Sequence, residues 1–302
     1  MNNIVQAHLG QAAALATALC WTLNALAFES AGKEVGSLAV NYIRLFIAFL
    51  LLSITSFFTR GFLLPLDAGY HTWFWLLVSG LAGFVLGDLF LFEAFVQIGS
   101  RISLLIMSAS PPLAALAGFL MMGEKISLLN LTGMLVTMSG ISLVVLSKNP
   151  RQGQKVKLNR PVKGLVYASV GALGQALGLT FSKFGMGSYN PLAATQIRLI
   201  AAVFTFTILI TVRKKWREIG SAFRRKKALG QITVGAVLGP FIGVTLSLVA
   251  LQHAPTGIVS SLTSTSPVLI IPFSILIYKE KILPKEIAGA LISILGVILI
   301  FL

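Results

Sequence analysis

Long apolar runs separated by short polar breaks pattern the chain. Breaks at charged residues, Gly, Pro and Asn leave runs near 8–29, 37–58, 72–97, 102–122, 128–147, 164–186, 191–212, 229–251, 257–278 and 285–302. A bilayer's hydrocarbon core is about 30 Å thick, and a helix crosses it with roughly 20 residues. Each run therefore suits one span, and ten spans use up almost the whole length. A membrane β-strand would alternate apolar and polar positions over about ten residues, whereas Leu45 to Ser56 and Leu291 to Leu302 are almost continuously apolar. The pattern predicts an all-α integral membrane protein of ten transmembrane helices.

An internal repeat organises these runs. Gly10 recurs as Gly164, and Ile43-Arg44-Leu45 as Ile197-Arg198-Leu199, at an offset of 154. Further on, Gly83, Gly87, Ser110-Pro111, Glu124-Lys125-Ile126, Gly133 and Gly140 recur as Gly239, Gly243, Ser266-Pro267, Glu280-Lys281-Ile282, Gly289 and Gly296, all at 156. The two-residue change falls between the second and third runs of each half. The repeat divides the chain into a first five-helix unit over 1–147, a basic linker loop over 148–163 and a second five-helix unit over 164–302. Five is odd, so the second unit must enter the membrane in the opposite sense. The expected fold is two inverted five-helix repeats (5+5) around a central cavity, a geometry that suits alternating access.

The residues at these places carry a resemblance. The first run with Leu19-Cys20-Trp21 and Asn24, the Ile43-Arg44-Leu45 opening of the second, and Ser110-Pro111 with Glu124-Lys125 closing the fourth resemble the EamA-type transporters of the drug/metabolite transporter superfamily. The resemblance spans nearly the whole chain. It implies a cavity lined mainly by runs 1–4 and 6–9, runs 5 and 10 at the periphery, and export or exchange of amino acids and similar metabolites. One departure stands out: Gln175 occupies the place that Trp21 has in the first half.

Composition agrees with a lipid environment: 11% of residues are charged and 56% hydrophobic, with a mean hydropathy of +0.88. The net charge of +15 could suit nucleic acid, but its distribution points to topology instead. Six Lys or Arg fall within 148–163 and eight within 213–227, in loops flanking apolar runs. Loops after odd-numbered runs share one side and hold most of the basic residues. The positive-inside rule puts that side in the cytoplasm and both termini outside, as for a multi-pass protein of a prokaryotic plasma membrane. The resemblance implies termini inside; the charge bias is the stronger argument. The first run has no basic stretch ahead of it and is long, so it reads as a retained helix rather than a cleaved signal.

Ionisable groups within lipid cost roughly 2.5–3.5 kcal/mol or more, and they need a partner or a wet cavity. Asp88 and Glu93 sit in the third run and, at 100° per residue, point about 140° apart. Arg44 lies at a comparable depth. A structural pair of Arg44 with Asp88 or Glu93 is expected, and the other acid is a candidate for binding a cationic group or carrying a coupling proton. Arg198, the repeat of Arg44, has Val244 and Val249 at the places matching the two acids. It either snorkels to the interface or receives a substrate carboxylate.

Trp21 and Asn24 share a helical face, and Asn24, costly in lipid, is expected to face the interior. A polar run from Ser260 to Ser266, including Ser264, precedes Pro267, and Ser108 and Ser110 accompany Pro111. The prolines are candidate hinges. Hydroxyls at such kinks either satisfy their own helix or help bind substrate. The candidate substrate-binding set is Trp21, Asn24, Asp88, Glu93, Gln175, Arg198 and Ser264. Gly133, Gly140, Gly289 and Gly296 read as helix packing within or between subunits, and Glu124 and Glu280 as solvated or capping groups at helix ends.

The function expected is secondary-active transport of a small polar or amphipathic, amino-acid-like metabolite, with proton coupling an option. An intramembrane enzyme is a rival, but the chain has three His, one Cys and no HExxH, GxSxG or CxxC. No metal or cofactor is expected. A lipid-handling protein is a further alternative. The partners expected are the substrate and membrane lipid, not nucleic acid, with the chain as a monomer or homodimer.

Overall fold

A computed structural model gives the architecture and describes residues 2–98, 103, 106–147, 162–269, 271–272 and 283–302. The described residues form helices and short connections, with no strand among them. In chain order the helices are α1 (Asn2–Val35), α2 (Ser37–Arg60), α3 (Tyr70–Gly80), a π-helical segment π1 (Leu81–Gly87), α4 (Asp88–Ile98), α5 (Ser110–Met122), α6 (Leu128–Ser147), α7 (Val162–Met186) and α8 (Pro191–Val212). They continue as α9 (Trp216–Phe223), α10 (Lys226–Ala236), the segment π2 (Val237–Gly243), α11 (Val244–His253), α12 (Thr256–Thr263) and α13 (Pro284–Phe301). Seven helical stretches among these residues are long and apolar enough to cross a membrane: Leu38–Arg60, Tyr70–Leu91, Leu128–Ser147, Val162–Met186, Pro191–Val212, Lys226–His253 and Pro284–Phe301.

Several sequence expectations are refined. Helix α1 is 34 residues long and extends beyond 8–29, taking in Glu29, Lys33 and Glu34. The basic stretch 213–227 is not all loop: it contains α9, whose Ile219 and Ala222 are buried against Ala31, Ile210 and Ile232. Two apolar residues spaced three apart suffice to seat one short helix, a signal hidden among eight basic neighbours. Of the linker 148–163, Val162 and Lys163 belong to α7, and the rest lies outside the described residues. So do Arg101 and Glu280-Lys281-Ile282.

The halves interleave through repeat-related contacts. Helix α1 packs along α10, π2 and α11, while α7 packs along α3, π1 and α4. A Cβ on Gly10 would stand 2.9 Å from the His253 Cβ, and one on Gly164 would stand 3.1 Å from the Gln97 Cβ. His253 and Gln97 are themselves 156 apart, so the two glycines do the same work in the two halves. On the α7 side the approach is backbone to backbone: a Cβ on Gly178 would meet the Gly83 Cα at 2.8 Å, and one on Gly174 the Gly87 amide nitrogen at 2.9 Å.

Helices α6 and α13 pack against each other along their glycines. A Cβ on Gly133 would meet the Gly296 carbonyl at 2.9 Å, and one on Gly140 the Gly289 carbonyl at 2.6 Å. These glycines therefore pack within the chain. Buried Leu45, Leu52, Leu199 and Phe206 join α2 to α8 and close over Phe84 of π1 and Val244 of α11.

Candidate functional site

The two π-helical segments occupy matching places, Leu81–Gly87 and Val237–Gly243, each interrupting an otherwise continuous helix. A proline inside a helix removes one amide donor and disturbs the ladder, and Pro240 supplies that cause in π2. Phe84 stands at the equivalent place in π1, which widens without a proline. Such wide turns recur at functional sites, and here each faces a side chain from the other half. The Gln175 amide lies against Gly87, and the Trp21 indole against Gly243.

Asp88 is the first residue of α4, directly after π1. Its Oδ2 pairs with the Arg44 guanidinium, and its Oδ1 accepts a 2.9 Å hydrogen bond from Gln175 Nε2. The pair is largely enclosed, with side-chain exposures of 9% for Arg44 and 16% for Asp88. Glu93 is exposed and accepts a hydrogen bond from Gln97 Nε2 at 3.2 Å. The structure thus couples Asp88, not Glu93, to Arg44.

Arg198 lies beside this pair. Its backbone passes close enough to Gly80 that a Cβ there would stand 3.0 Å from the Arg198 Cα. A Cβ on Gly83 would meet Arg198 Nη2 at 3.1 Å. The glycine face of the third run is therefore the channel in which the arginine lies. Its guanidinium carbon sits 4.8 Å from the centre of the Phe84 ring, a cation–π distance. Arg198 is 4% exposed, and its Nε has no hydrogen-bond partner among the described residues. It is buried in the protein rather than extended to an interface.

Around π2 the described side chains from α1 are polar or aromatic and uncharged. Thr17 Oγ1 donates to the Gly243 carbonyl at 3.3 Å, the Asn24 amide lies against Gly239, and Asn24 Oδ1 has no partner among the described residues. Trp21, Asn24 and Gln175 are each half-buried. Breaks also fall at matching places near the prolines: Ser108-Ala109 before Pro111 and Ser264-Thr265 before Pro267. Most hydroxyls of the second break return to their own helix. Ser266 Oγ donates to the Thr263 carbonyl at 3.1 Å, the acceptor that the Pro267 nitrogen cannot serve, and Thr265 Oγ1 donates to the Leu262 carbonyl at 2.7 Å. Ser264 is half-buried at the break itself. Ser266 also reaches the Ala18 carbonyl and Thr22 the Ser266 carbonyl, tying the break to α1.

A family model described as the EamA-like transporter family matches residues 8–146 and 162–302. The chain belongs to that family. It is also 25% identical over 293 residues to an uncharacterized transporter of Archaeoglobus fulgidus, an alignment covering 95% of this chain and 96% of the relative. Its fold is similar to that of a protein whose crystal structure is known, with a TM-score of 0.76 at 17% identity, covering 96% of this chain and 95% of the other. These relationships make it a multi-pass membrane transporter and point away from an enzyme.

In this EamA-like chain a second polar cluster closes the end of the bundle where α5 and α7 stop and α12 begins. Lys183 Nζ stands 2.5 Å from Glu124 Oε1 and 2.6 Å from the Ala254 carbonyl it donates to. Glu124 Oε2 accepts the Thr256 amide at 2.8 Å, and so caps α12 where helix amides lack intrahelical acceptors. Of the two roles open to Glu124 in the sequence, capping is the one adopted.

Nearby, Arg60 pairs with Asp67, and Tyr189 donates to Asp67 Oδ1 at 2.9 Å. Burial pushes the Tyr189 phenol above its ordinary range, so it remains a neutral donor. These groups border a surface cavity of about 570 Å³ that His71, Thr72 and Asn190 also line. The sequence marked Glu124 through its duplication but not its link to Lys183, because 59 residues separate them.

Proposed function

We propose that this transporter is a secondary-active carrier that moves a small polar or amphipathic metabolite of amino-acid-like size by alternating access. In this reading ten helices form two inverted five-helix repeats, and Arg198, Gln175, Trp21, Asn24 and Ser264 contribute to the substrate site, with Asp88 holding Arg44 and Gln175 in place beside it. The observation that carries it is the pairing of π1 with Gln175 and π2 with Trp21. Equivalent weak points in two long helices each rest on a helix of the other half.

Exchange of two such arrangements would open the site to opposite sides while each half keeps its own fold. The dense polar closure at the Glu124–Lys183 end is the contact set that one of the two states must break. Interruptions near Pro111 and Pro267 supply matched hinge points, and at the second the carbonyls of Leu262 and Thr263 are already served by local hydroxyls.

Uptake into proteoliposomes tests the reading. Saturable uptake of a labelled amino-acid-sized metabolite, stimulated by unlabelled compound preloaded inside, is the expected result; stimulation by a pH gradient would add proton coupling. Flux that rises linearly with concentration and shows no countertransport would mark a channel and end the carrier proposal.

A further inference from the structure

We infer that Arg198 receives a carboxylate and that the preferred substrate is a small organic monoanion rather than a zwitterion. The inference rests on the carrier reading and concerns the charge of its cargo. Both Asp88 oxygens are engaged, one by Arg44 and one by Gln175. Glu93 is exposed and bonded to its own helix through Gln97. Among the described residues no carboxylate at this depth is left to meet a substrate ammonium.

Arg198 is the converse case. It is buried to 4% exposure, and among the described residues its guanidinium has no hydrogen-bonded acceptor. The Phe84 ring attracts the guanidinium charge but cannot replace an oxygen acceptor for its in-plane donors. Arginine has five N–H donors in a planar fork, and carboxylates match that edge bidentately. Among the described residues Arg44 and Asp88 cancel, so these two and Arg198 together carry one positive charge. A monoanion brings the site to neutrality. A zwitterion would add an ammonium without an acceptor in a low-dielectric setting, which is costly.

The charge count over the described residues carries an electrical consequence. The loaded site crosses neutral and the empty site crosses carrying one positive charge. Exchange, in which both crossings are loaded, is therefore insensitive to membrane potential, whereas net uptake is driven by an inside-positive potential.

The test uses full-length protein in proteoliposomes. The probes are the α-keto acid, the amino acid and the decarboxylated amine built on the leucine and phenylalanine skeletons. Binding is read by thermal shift, and flux by countertransport with the potential clamped by potassium and valinomycin. The keto acids are expected to bind about tenfold or more tightly than the amino acids, from one charge-assisted interaction, with the amines excluded. Arg198→Gln removes that preference, and Arg198→Lys retains part of it.

Preference for the amino acids or amines, failure of every keto acid to bind, or voltage-sensitive exchange would overturn the inference. If Arg198→Gln does not fold, the order among the three probes and the voltage test on the unaltered protein decide. Countertransport of amino acids alone leaves the carrier standing and removes the anion site; keto-acid binding without countertransport does the reverse.

Discussion

Lys183 and Glu124 form an ion pair at 2.5 Å, and the same carboxylate caps α12 through the Thr256 amide at 2.8 Å. One side chain thereby holds together the ends of α5 and α7 and the start of α12. Lys183 is 23% exposed and Glu124 9%, so solvent screens the pair only partly. Glu124→Gln keeps an oxygen for the Thr256 amide but loses the charge that holds Lys183. On the proposed alternating-access reading, this end is expected to lose about 1.5–3 kcal/mol, roughly a tenfold or greater shift toward an open form. Thiol labelling of Ile258→Cys, buried in α12, reads this in a Cys20→Ser background. Labelling should accelerate about tenfold, and an unchanged rate would show that the pair does not latch this end.

Among the described residues Asp88 is the acid paired in a cluster with two arginines, Arg44 and Arg198. Removing one partner of an enclosed pair costs about 3–5 kcal/mol, because the other charge is stranded. Asp88→Asn is therefore expected to lower thermal stability in detergent markedly, and adding Arg44→Met should recover much of the loss. Glu93→Gln, at an exposed site bonded to the neighbouring Gln97, should melt within about 0.5 kcal/mol of the parent. Additive losses in the Asp88→Asn, Arg44→Met double variant would refute the coupling.

Helices α6 and α13 touch through glycine. A Cβ on Gly140 would lie 2.6 Å from the Gly289 carbonyl, whereas none of the atoms around Gly230 comes within 4 Å of such a position. Gly140→Ala should therefore force the helices apart and cost about 1–3 kcal/mol by overpacking, while Gly230→Ala should not clash. Thermal melting of the two variants side by side checks the contrast. Equal melting points would mean that the α6–α13 seam yields freely.

Much of this architecture is legible in the sequence because a membrane helix must be apolar, and a close helix contact must be small. The run 191–212 coincides with α8, and the repeated glycines lie where helices touch. The π segments are less legible. Pro240 offers a local cause for π2, but the equivalent Phe84 offers none for π1, although that turn directly precedes Asp88. Helical angles alone separate Asp88 from Glu93 without saying which one meets Arg44, since that depends on where the fold places the Arg44 side chain of α2 relative to the start of α4. The Glu124–Lys183 link is likewise invisible to local pattern, because it is made by helix ends brought together only in the fold.

Gly80 and Gly83, one turn apart, offer a way to separate packing from binding. A Cβ on Gly80 would run into the Arg198 backbone, with its Cα 3.0 Å away, and a backbone cannot move aside cheaply. A Cβ on Gly83 would meet Arg198 Nη2 at 3.1 Å, the far end of a flexible side chain. Gly80→Ala should destabilise the protein by about 1–3 kcal/mol, whereas Gly83→Ala should fold and displace the guanidinium by a few tenths of an ångström. If Arg198 holds the substrate, that displacement weakens binding severalfold while the melting temperature in the absence of substrate barely changes. Thermal melting and the apparent KM for uptake, measured on both variants, distinguish the two. A Gly83→Ala protein with unaltered KM would mean that the guanidinium position does not matter to the substrate.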